Sequence, residues 1–400
     1  MQVPRRTTLP RSVHEAAARE PVRGGMAALR HVVFLTGEND HYDDLADTFT
    51  VCDAFHGSGY PWATYAVHLR DAGKSWRVYQ DGPSFRADVE SGGLPQVSYL
   101  VPPPAASWAY EVLDALASVP EVWDSTALFI DYGSGHDGEH GSGGAAGGPF
   151  GLGPRVPVVV VSPWTVGGYV DSQVFDQSSA ARFVERWLGV SAPGIGAPQR
   201  TACGDLTSAF DFGRRRPVGA HLPGWRPARP LPYQPDASGA VVGGEVRLGL
   251  RNSGDESVRL ALHPHAGDAV HLDVRSSVEF AVPFEHEYRF AVVGPNGFRR
   301  EFAGTRGEHA AVESSVHGHS RVLSMTLANA GPADVTFSLV GDGRDFKVTV
   351  RPGKRRLVPW LTAFRHGWYD LTVSSGAFRR RLAGHVENGR ESVAPVITRS

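Results

Sequence analysis

This sequence has few cysteines, no long apolar run and no large excess of one charge. Its two cysteines, Cys52 and Cys203, do not belong to a C-x-x-C pair and are too few for a disulfide framework. A single bridge between them and two buried thiols are both open, and we favour two thiols. No apolar stretch approaches about 18 residues, so no helix is expected to span a membrane. The net charge of −2 predicts no broad attraction to nucleic acid or to anionic membranes.

The stretch from Ala127 to Val190 carries the clearest pattern of secondary structure. It contains two apolar runs that predict buried strands, a glycine-dense loop between them and a helical pattern after them. In chain order these segments are residues 127–130, 133–153, 156–162 and 178–188. This order predicts one edge of a doubly wound α/β sheet, in which ligands bind at the carboxyl ends of strands. We therefore expect the loop His136–His140 to border any functional site.

The rest of the first half divides into regions of different composition. Residues 1–30 are predicted to form an irregular or partly helical leader. Residues 31–213 alternate strand and helix patterns, beginning with a strand at His31–Leu35, which predicts a mainly parallel sheet with helices on both sides. Residues 214–234 are rich in proline and arginine and are predicted to be a linker.

Beyond the linker the pattern changes to alternating strands, and the sequence repeats itself. The repeated blocks are Leu250–Gly254 with Leu327–Gly331, and Gly297–Gly304 with Ala377–Gly384. Offsets of 77 and 80 residues predict two tandem β-sandwich modules, at residues 235–308 and 313–396. Trp360, Trp368 and Tyr369 are either core residues, which we favour, or exposed aromatics that contact a lipid or a partner.

Arg5 and Arg6 resemble a twin-arginine export signal, but the residues after them do not. Residues 7–30 are charged and interrupted by proline, so the apolar region of such a signal is absent. As written, the chain is predicted to be cytoplasmic. A misassigned start codon would instead be compatible with secretion.

Four blocks of the chain carry a more specific signal. They are Leu45–His56, Leu94–Ser98, Gly153–Asp176 and Cys203–Phe212. Together they resemble the bacterial phosphocholine-preferring phospholipase C family, within the acid-phosphatase-like phosphoesterases, and the tandem β modules resemble that family's C-terminal repeats. The resemblance spans about His31 to Ala394. It implies an alkaline-phosphatase-like α/β core, an exported protein, and metal-assisted hydrolysis of phosphodiesters such as phosphatidylcholine through a hydroxyl nucleophile.

The resemblance also implies site residues at the positions that match the family's blocks. Glu38 and Asn39 match a Glu-Asn pair and are implied to be ligands of a divalent metal cation. His56 and Asp176 are implied to lie behind the ligands or against the substrate.

The chain departs from the family at three of its site blocks. The family's nucleophile-bearing stretch is missing after Ser58, and its Phe-Asp-His block ends here in Gln177. Its Tyr-Asp-Glu-Asn-Asp-Gly block, the source of two carboxylate ligands, is replaced at Tyr132–Gly138. Ser58 lies where the deletion begins, so it is either a substitute nucleophile or a solvated loop serine.

The replaced block contains a cluster of its own. His136, Asp137, Glu139 and His140 supply two imidazoles and two carboxylates within five residues, which are donors suited to a divalent cation. The glycine-rich surroundings rule out the helical arrangement of an H-E-x-x-H site. The cluster is either a metal site or a flexible polar loop.

Two hypotheses of function follow from these observations. The first is a shortened phospholipase C-type phosphoesterase that acts on a phospholipid or another phosphodiester, with no nucleic-acid partner and with peripheral lipid contact through the β modules. The second is a pseudoenzyme that serves as a binding or structural protein. The resemblance places its metal at the carboxyl end of the first strand. We therefore expect Glu38 to lie within about 12 Å of a side chain in residues 133–140.

Overall fold

A computed structural model describes residues 9–36, 42–55, 62–102, 108–132, 155–213, 225–264 and 267–395. These residues form two compact units. The first contains the described residues up to Arg229 together with Val393–Pro395, and the second contains the described residues from Pro230 to Ser392. Among the described helices, none is long and apolar enough to cross a lipid bilayer.

The described elements are numbered here in chain order. The α-helices are α1 (Arg11–Ala18), α2 (Tyr42–Thr48), α3 (Trp62–Asp71), α4 (Gly82–Ser91), α5 (Ala109–Ser118), α6 (Pro120–Trp123), α7 (Gln177–Leu188) and α8 (Ala197–Ala202). Short 3₁₀ turns occur at Gly25–Ala28, Thr207–Ala209 and Ala363–Arg365. The first strands are β1 (His31–Thr36), β2 (Thr50–Phe55), β3 (Trp76–Tyr79), β4 (Val97–Leu100), β5 (Thr126–Asp131), β6 (Arg155–Val161), β7 (Val170–Asp176) and β8 (Trp225–Ala228).

The remaining strands belong mostly to the second unit. They are β9 (Pro235–Val242), β10 (Glu245–Asn252), β11 (Val258–Pro264), β12 (Val270–Val274), β13 (Ser277–Pro283), β14 (Glu287–Val293), β15 (Arg299–Thr305), β16 (Ala310–His317), β17 (Val322–Asn329), β18 (Val335–Gly341), β19 (Arg344–Val350), β20 (Arg355–Leu361), β21 (Trp368–Ser375), β22 (Phe378–His385) and β23 (Ser392–Pro395).

A nine-stranded sheet forms the centre of the first unit, in the order β23-β8-β7-β2-β6-β5-β1-β4-β3. Strand β1 pairs in parallel with β4 and β5, and β2 pairs in parallel with β7. Strand β6, however, runs antiparallel to both of its neighbours, β2 and β5. The sheet is therefore mixed, with mostly parallel pairs.

The position and direction of β6 correct the expectation of a parallel sheet edge at Ala127–Val190. Strands β5 and β6 are central, and β2 separates β6 from β7. A parallel neighbour would need a crossover connection, usually a helix. The glycine-dense sequence after β5 has no helical pattern, which suits an antiparallel return.

Alternate residues of the central strands enter two apolar cores on opposite faces of the sheet. Val33 and Leu35 of β1 belong to one core, and Val32 and Phe34 belong to the other. Helices α1, α4 and α5 contribute buried residues to the first core, while α3 and α7 contribute to the second. Helix α1 lies within the predicted leader, but its Val13 is fully buried, so residues 11–18 are part of the core.

Two boundaries differ from the sequence prediction. Strand β8 lies within the predicted linker, because Trp225–Ala228 extend the nine-stranded sheet beside β7. Leu231 and Tyr233, also in that segment, are buried in a core of the second unit. At the other end, β23 joins the nine-stranded sheet instead of closing the second β module. Proline-rich composition did not distinguish these buried segments from a linker.

The second unit contains the two predicted β-sandwich modules. In the first module the sheet β13-β10-β9 packs on strands β11, β12, β14 and β15 around one core. In the second module the sheet β16-β17-β20 packs on strands β18, β19, β21 and β22 around another. The modules are not separate, because β15 pairs with β22 and joins them through one eight-stranded sheet. The described part of the second unit has no α-helix.

Buried arginines stabilise the pairing of β15 with β22, which we call the seam, and they do so with approximate twofold symmetry. Arg300 of β15 donates to the Tyr369 hydroxyl at 2.9 Å and to the Ala383 carbonyl at 3.0 Å. Arg380 of β22 donates to the Tyr288 hydroxyl at 2.7 Å and to the Ala303 carbonyl at 2.9 Å. Each arginine thus reaches from its own module into the other. Because a buried guanidinium requires several partners, these contacts fix the register of the seam.

Core packing was favoured for three aromatic side chains, and burial as free thiols for the two cysteines. Trp360 and Tyr369 are 0% and 3% exposed, so core packing is confirmed for both and lipid contact through them is excluded. Trp368 is half-buried, with its ring centre 4.9 Å from that of His385. Cys52 and Cys203 are buried thiols and do not form a disulfide.

The repeated asparagines of the two modules are buried and play the same part. Asn329 is 2% exposed, and its Nδ2 donates to the carbonyls of Ala333 at 2.7 Å and Val350 at 2.9 Å. Its Oδ1 accepts from the Gly331 amide at 2.8 Å. Asn252 makes the same three kinds of contact one repeat earlier. The repeat therefore preserves a side chain that satisfies backbone groups of neighbouring turns.

We expect Asn329→Ala to lower the free energy of unfolding by about 1–3 kcal/mol, because buried backbone groups lose their partners. Urea denaturation measures this loss. The control is Asn388→Ala, whose half-buried side chain accepts one bond, from the Arg390 amide at 3.2 Å, and which should cost no more than about 0.5 kcal/mol. Equal losses in the two variants would contradict the structural role of Asn329.

Candidate functional site

The carboxyl ends of most strands of the nine-stranded sheet lie at one edge. Thr36, the last residue of β1, is directly opposite Asp131, the last residue of β5. Phe55, the last residue of β2, is opposite Asp176, the last residue of β7. Because β6 is antiparallel to both β2 and β5, those two strands point the same way. The ends of β7, β2, β5, β1 and β4 therefore share this edge, which we call the carboxyl edge.

Every site residue predicted from the sequence follows a strand that ends at the carboxyl edge. Glu38 and Asn39 come after β1, and the pair His56 and Ser58 comes after β2. The cluster of His136, Asp137, Glu139 and His140 comes after β5. All of these lie outside the described residues, whereas Asp176 at the end of β7 is described.

The order of strands sets how near these segments begin to one another. Strands β1 and β5 are neighbours over six paired residues, so their ends are about 5 Å apart. The segment that carries Glu38 and Asn39 therefore begins beside the segment that carries residues 133–140. Strand β2 is separated from β5 by β6, which puts its end about 10 Å from that of β5. The distance from Glu38 to residues 133–140 stays a prediction.

Asp131 is a candidate that the sequence interpretation did not single out. It is half-buried, ends an apolar strand, and lies opposite Thr36 on one side and Val158 on the other. An acidic residue at the end of an apolar run was the available signal. The family's carboxylate block begins one residue later, at Tyr132, so the resemblance did not indicate Asp131. Asp131 thus supplies a carboxylate where the predicted metal ligands begin.

Asp176 has a clear local role, because it caps α7. Its Oδ1 accepts from the backbone amide of Ser178 at 2.9 Å and from the Ser178 hydroxyl at 2.6 Å. The Asp176 amide donates in turn to the Ser179 hydroxyl at 3.1 Å, which completes a capping box. Asp176 is 8% exposed. These contacts explain an aspartate here without any ligand, and they also hold its carboxylate at the carboxyl edge.

A second group of buried charges lies at the opposite edge of the sheet. The Asp171 Oδ1 accepts a hydrogen bond from the backbone amide of Gln173 at 3.0 Å. Arg229 places its guanidinium carbon 3.9 Å from the centre of the Tyr169 ring and its Nη1 3.7 Å from Asp211. Burial raises the pKa of the Asp171 carboxyl, against the opposing effects of the Ser208 hydroxyl, the Gln173 backbone amide and the charge of Arg229. This group joins β7 to the chain around β8 and lies away from the candidate site.

The described residues alone do not form a metal centre. No group of three or more His, Cys, Asp or Glu side chains within them is arranged to hold an ion. The predicted donors are carboxylates, an asparagine oxygen and imidazoles, and Asp131 adds a carboxylate at the end of β5. Such an oxygen-rich set is chemically suited to a hard divalent cation.

Two known protein families match parts of this chain. A profile of the Phosphoesterase family matches residues 82–191, which include β4 to β7 and α7. A profile of the bacterial phospholipase C C-terminal domain matches twice, at residues 227–305 and 309–385. The first unit is thus a phosphoesterase domain, and the second carries two phospholipase C C-terminal domains.

Relatives extend this assignment over most of the chain. A non-hemolytic phospholipase C of Burkholderia pseudomallei is 30% identical over 89% of this chain and 77% of its own length. A non-hemolytic phospholipase C of Pseudomonas aeruginosa is 30% identical over 89% of this chain and 71% of its own. The chain belongs to the bacterial phospholipase C family, which confirms the resemblance found in the sequence.

The Burkholderia relative contains sequence that this chain lacks. The alignment with the Burkholderia protein extends over 546 residues, more than the 400 residues of this chain, so that relative has internal segments without a counterpart here. Among solved structures, the human OSCAR ligand-binding domain matches 40% of this chain and 97% of its own at 15% identity. Its TM-score of 0.14 supports no inference about the fold.

The capping role of Asp176 predicts different outcomes for two substitutions. Asp176→Asn should keep the free energy of unfolding within about 0.5 kcal/mol, because asparagine caps a helix as well as aspartate does. Asp176→Ala should lose about 1 kcal/mol. Urea denaturation of both variants measures the difference. A loss from Asn equal to that from Ala would show that the charge, and not the cap, stabilises this position.

The raised pKa of Asp171 predicts a pH dependence of stability. A carboxyl whose pKa is higher in the folded protein contributes stability below its unfolded pKa of about 3.9, and that contribution is lost as pH rises through the folded pKa. Asp171→Asn removes this loss. The stability of the variant relative to wild type should therefore rise as the pH increases above about 4, by up to about 1.4 kcal/mol per pH unit, until the folded pKa is passed. A difference that stays constant in urea titrations would contradict the assignment.

Proposed function

We propose that this chain is a divergent phospholipase C-type phosphoesterase whose site lies at the carboxyl edge of the nine-stranded sheet and whose turnover is weak. Its substrate class would be phosphodiesters such as phosphatidylcholine. The observation that carries the proposal is the pairing of β1 with β5, whose ends lie side by side where the predicted ligand segments begin. Membership of the phospholipase C family supports the chemistry.

We also propose that the first unit is alkaline-phosphatase-like. Its mixed sheet between two helical layers and its match to the Phosphoesterase profile support this finer assignment. Overlay of an experimental structure on an alkaline phosphatase, with strand order compared across the sheet, tests it.

The proposed division of labour follows the chemistry of phosphodiester cleavage. Glu38, Asn39 and the cluster at residues 136–140, joined by Asp131, would hold a divalent cation. When bound, such an ion offsets charge on phosphate oxygens and lowers the pKa of a coordinated hydroxyl. The Ser58 hydroxyl is the candidate nucleophile. His56 is placed after the same strand, where it would position the substrate or the serine.

Weak turnover is expected because of what the chain lacks relative to its family. The family's nucleophile stretch has no equivalent after Ser58, and the carboxylate block after β5 is replaced. Nucleophile, cation and leaving-group stabiliser act as a unit, so loss of one removes most of the rate. Removal of a single transition-state stabiliser costs about 10²–10³ in rate.

The same losses favour a second candidate, a non-catalytic protein that keeps the fold. In that case the carboxyl edge and the β modules would serve binding alone. The two candidates differ in one measurable property, because an enzyme releases product in proportion to its concentration and a binding protein does not.

We expect phosphodiesterase turnover to be at least about 10³-fold below that of an intact relative, extrapolating from the cost of lost stabilisers. Release of p-nitrophenol from p-nitrophenylphosphocholine, with added divalent cation and with chelator, measures it. Glu38→Ala and Ser58→Ala should each abolish any activity that remains.

Asn388→Ala, far along the chain in the second unit, is the matched control and should leave activity unchanged. Turnover within tenfold of an intact relative would refute the weak-enzyme proposal. Residual activity that survives both Glu38→Ala and chelator would show that a different site or a contaminant is responsible. Complete inactivity with cation bound to the native protein would support the non-catalytic candidate.

A further inference from the structure

A groove of about 450 Å³ opens on the outer face of the eight-stranded sheet, at the seam between the two modules. Ala291 and Ala303 are half-buried and line it with small side chains. Three arginines, Arg289, Arg299 and Arg379, border it. Small residues between long cationic ones leave space above the sheet that a ligand can occupy.

The register of the sheet brings two of these arginines to face each other. Arg289 of β14 is directly opposite Ala303 of β15, and Ala303 is directly opposite Arg379 of β22. Ser374 of β21 continues this row beside Arg379. Opposed residues in antiparallel strands have Cα atoms about 5 Å apart, so the two arginines are about 10 Å apart across the alanine. Two extended arginine side chains can converge over that distance.

These two arginines differ from the others on the same face. Among the described residues, neither Arg289 nor Arg379 has a carboxylate within ion-pair distance, while their neighbours are paired. The paired arginines are Arg259 with Asp273 at 2.7 Å, Arg299 with Glu301 at 2.6 Å, and Arg381 with Asp370 at 2.8 Å. Two unpaired cations that face one small residue repel each other unless an anion lies between them.

The pseudo-symmetry of the seam shows that this charge pattern is specific to one side. The equivalent row on the other side is Asp370, Ala383 and Arg299, with Asp370 in the place of Arg289. That row carries one charge of each sign, and both of its charged residues are paired. The row through Ala303 carries two positive charges. Both rows therefore have an alanine at their centre, and they differ in charge at one position, where Arg289 corresponds to Asp370.

We propose that Arg289 and Arg379 form a binding site for a phosphate-bearing anion at the seam of the two β modules. Guanidinium groups bind phosphate oxygens through paired, charge-assisted hydrogen bonds. The Ser374 hydroxyl is placed to add a neutral donor. Glu301 also lines the groove, but its negative charge is already balanced by Arg299 and by Arg381 at 3.3 Å. This site is independent of the proposed catalytic edge, which belongs to the first unit.

His263 also lines the groove, but it adds little charge. Burial and the nearby Arg299 lower the pKa of its imidazole, so it is neutral near pH 7. The attraction for an anion therefore comes from the arginines. The shared chemistry of the ligand is a phosphate group, whose source is either a soluble phosphate compound or the headgroup of an anionic lipid.

The test uses the full chain and two probes at constant ionic strength. Isothermal titration with inorganic phosphate measures binding in solution, and cosedimentation with phosphatidylcholine vesicles that contain phosphatidic acid measures binding to a lipid headgroup. Arg289→Gln and Arg379→Gln should each weaken binding at least about tenfold, because each loses a charge-assisted contact. Arg259→Gln removes the same charge from the same sheet face but from a paired arginine, and should change binding less than about twofold.

The outcomes distinguish the two sources of the phosphate group and also test the proposal itself. Arginine-dependent binding of inorganic phosphate assigns a soluble ligand, and arginine-dependent binding only to vesicles assigns a lipid headgroup. Phosphate bound at the first unit appears equally in all four proteins and does not obscure the comparison. The proposal is wrong if neither probe distinguishes the wild type from Arg289→Gln and Arg379→Gln, or if Arg259→Gln weakens binding as much as they do. Melting temperatures within a few degrees of wild type exclude unfolding as the cause of a loss.

Discussion

Burial of both faces of the nine-stranded sheet is the constraint on which the first unit depends. Residues of β1, β5 and β6 alternate between two apolar cores, so a charged side chain within these strands would be desolvated without partners. Polar chemistry is therefore confined to the ends of strands. This explains why candidate site residues from positions 38 to 176 all follow strand ends on one edge. It also explains why Asp171 and Arg229, buried at the other edge, are surrounded by a ring and polar groups.

The same constraint decides which parts of the fold were predictable. Apolar runs such as 127–130 indicated β1, β5 and β6 because those strands are buried on both sides. The pattern did not specify β2 or β7. Residues 44–55 mix helix and strand signals, and Asp53, Asp171 and Gln173 interrupt the apolar pattern, so only tertiary pairing makes these segments strands. The direction of β6 was not predictable either, because a strand covered on both faces has the same composition in a parallel or an antiparallel position.

Prediction of the candidate site depended on a different kind of information. Strand periodicity indicated where loops begin, but the identity of Glu38, Asn39 and Ser58 as candidates came from resemblance to a family. That resemblance was sufficient for membership and insufficient for catalytic competence, which depends on groups acting together in a few loops. Asp131 precedes the block at Tyr132–Gly138, so the resemblance did not indicate it. Asp176 shows that a residue whose identity is explained by helix capping can also lie at the carboxyl edge.

The second unit shows how duplication separates what must be kept from what can change. Arg300 and Arg380 are buried at the seam, where loss of either would leave hydroxyl and carbonyl partners unsatisfied, so both copies keep the residue and its contacts. Arg289 and Asp370 occupy equivalent places on the exposed face, where a change of charge costs little stability. Divergence is therefore expected on the outer face of the sheet and not among the buried residues of the seam. A binding function specific to one half of the repeat can arise there without disturbing the register that joins the modules.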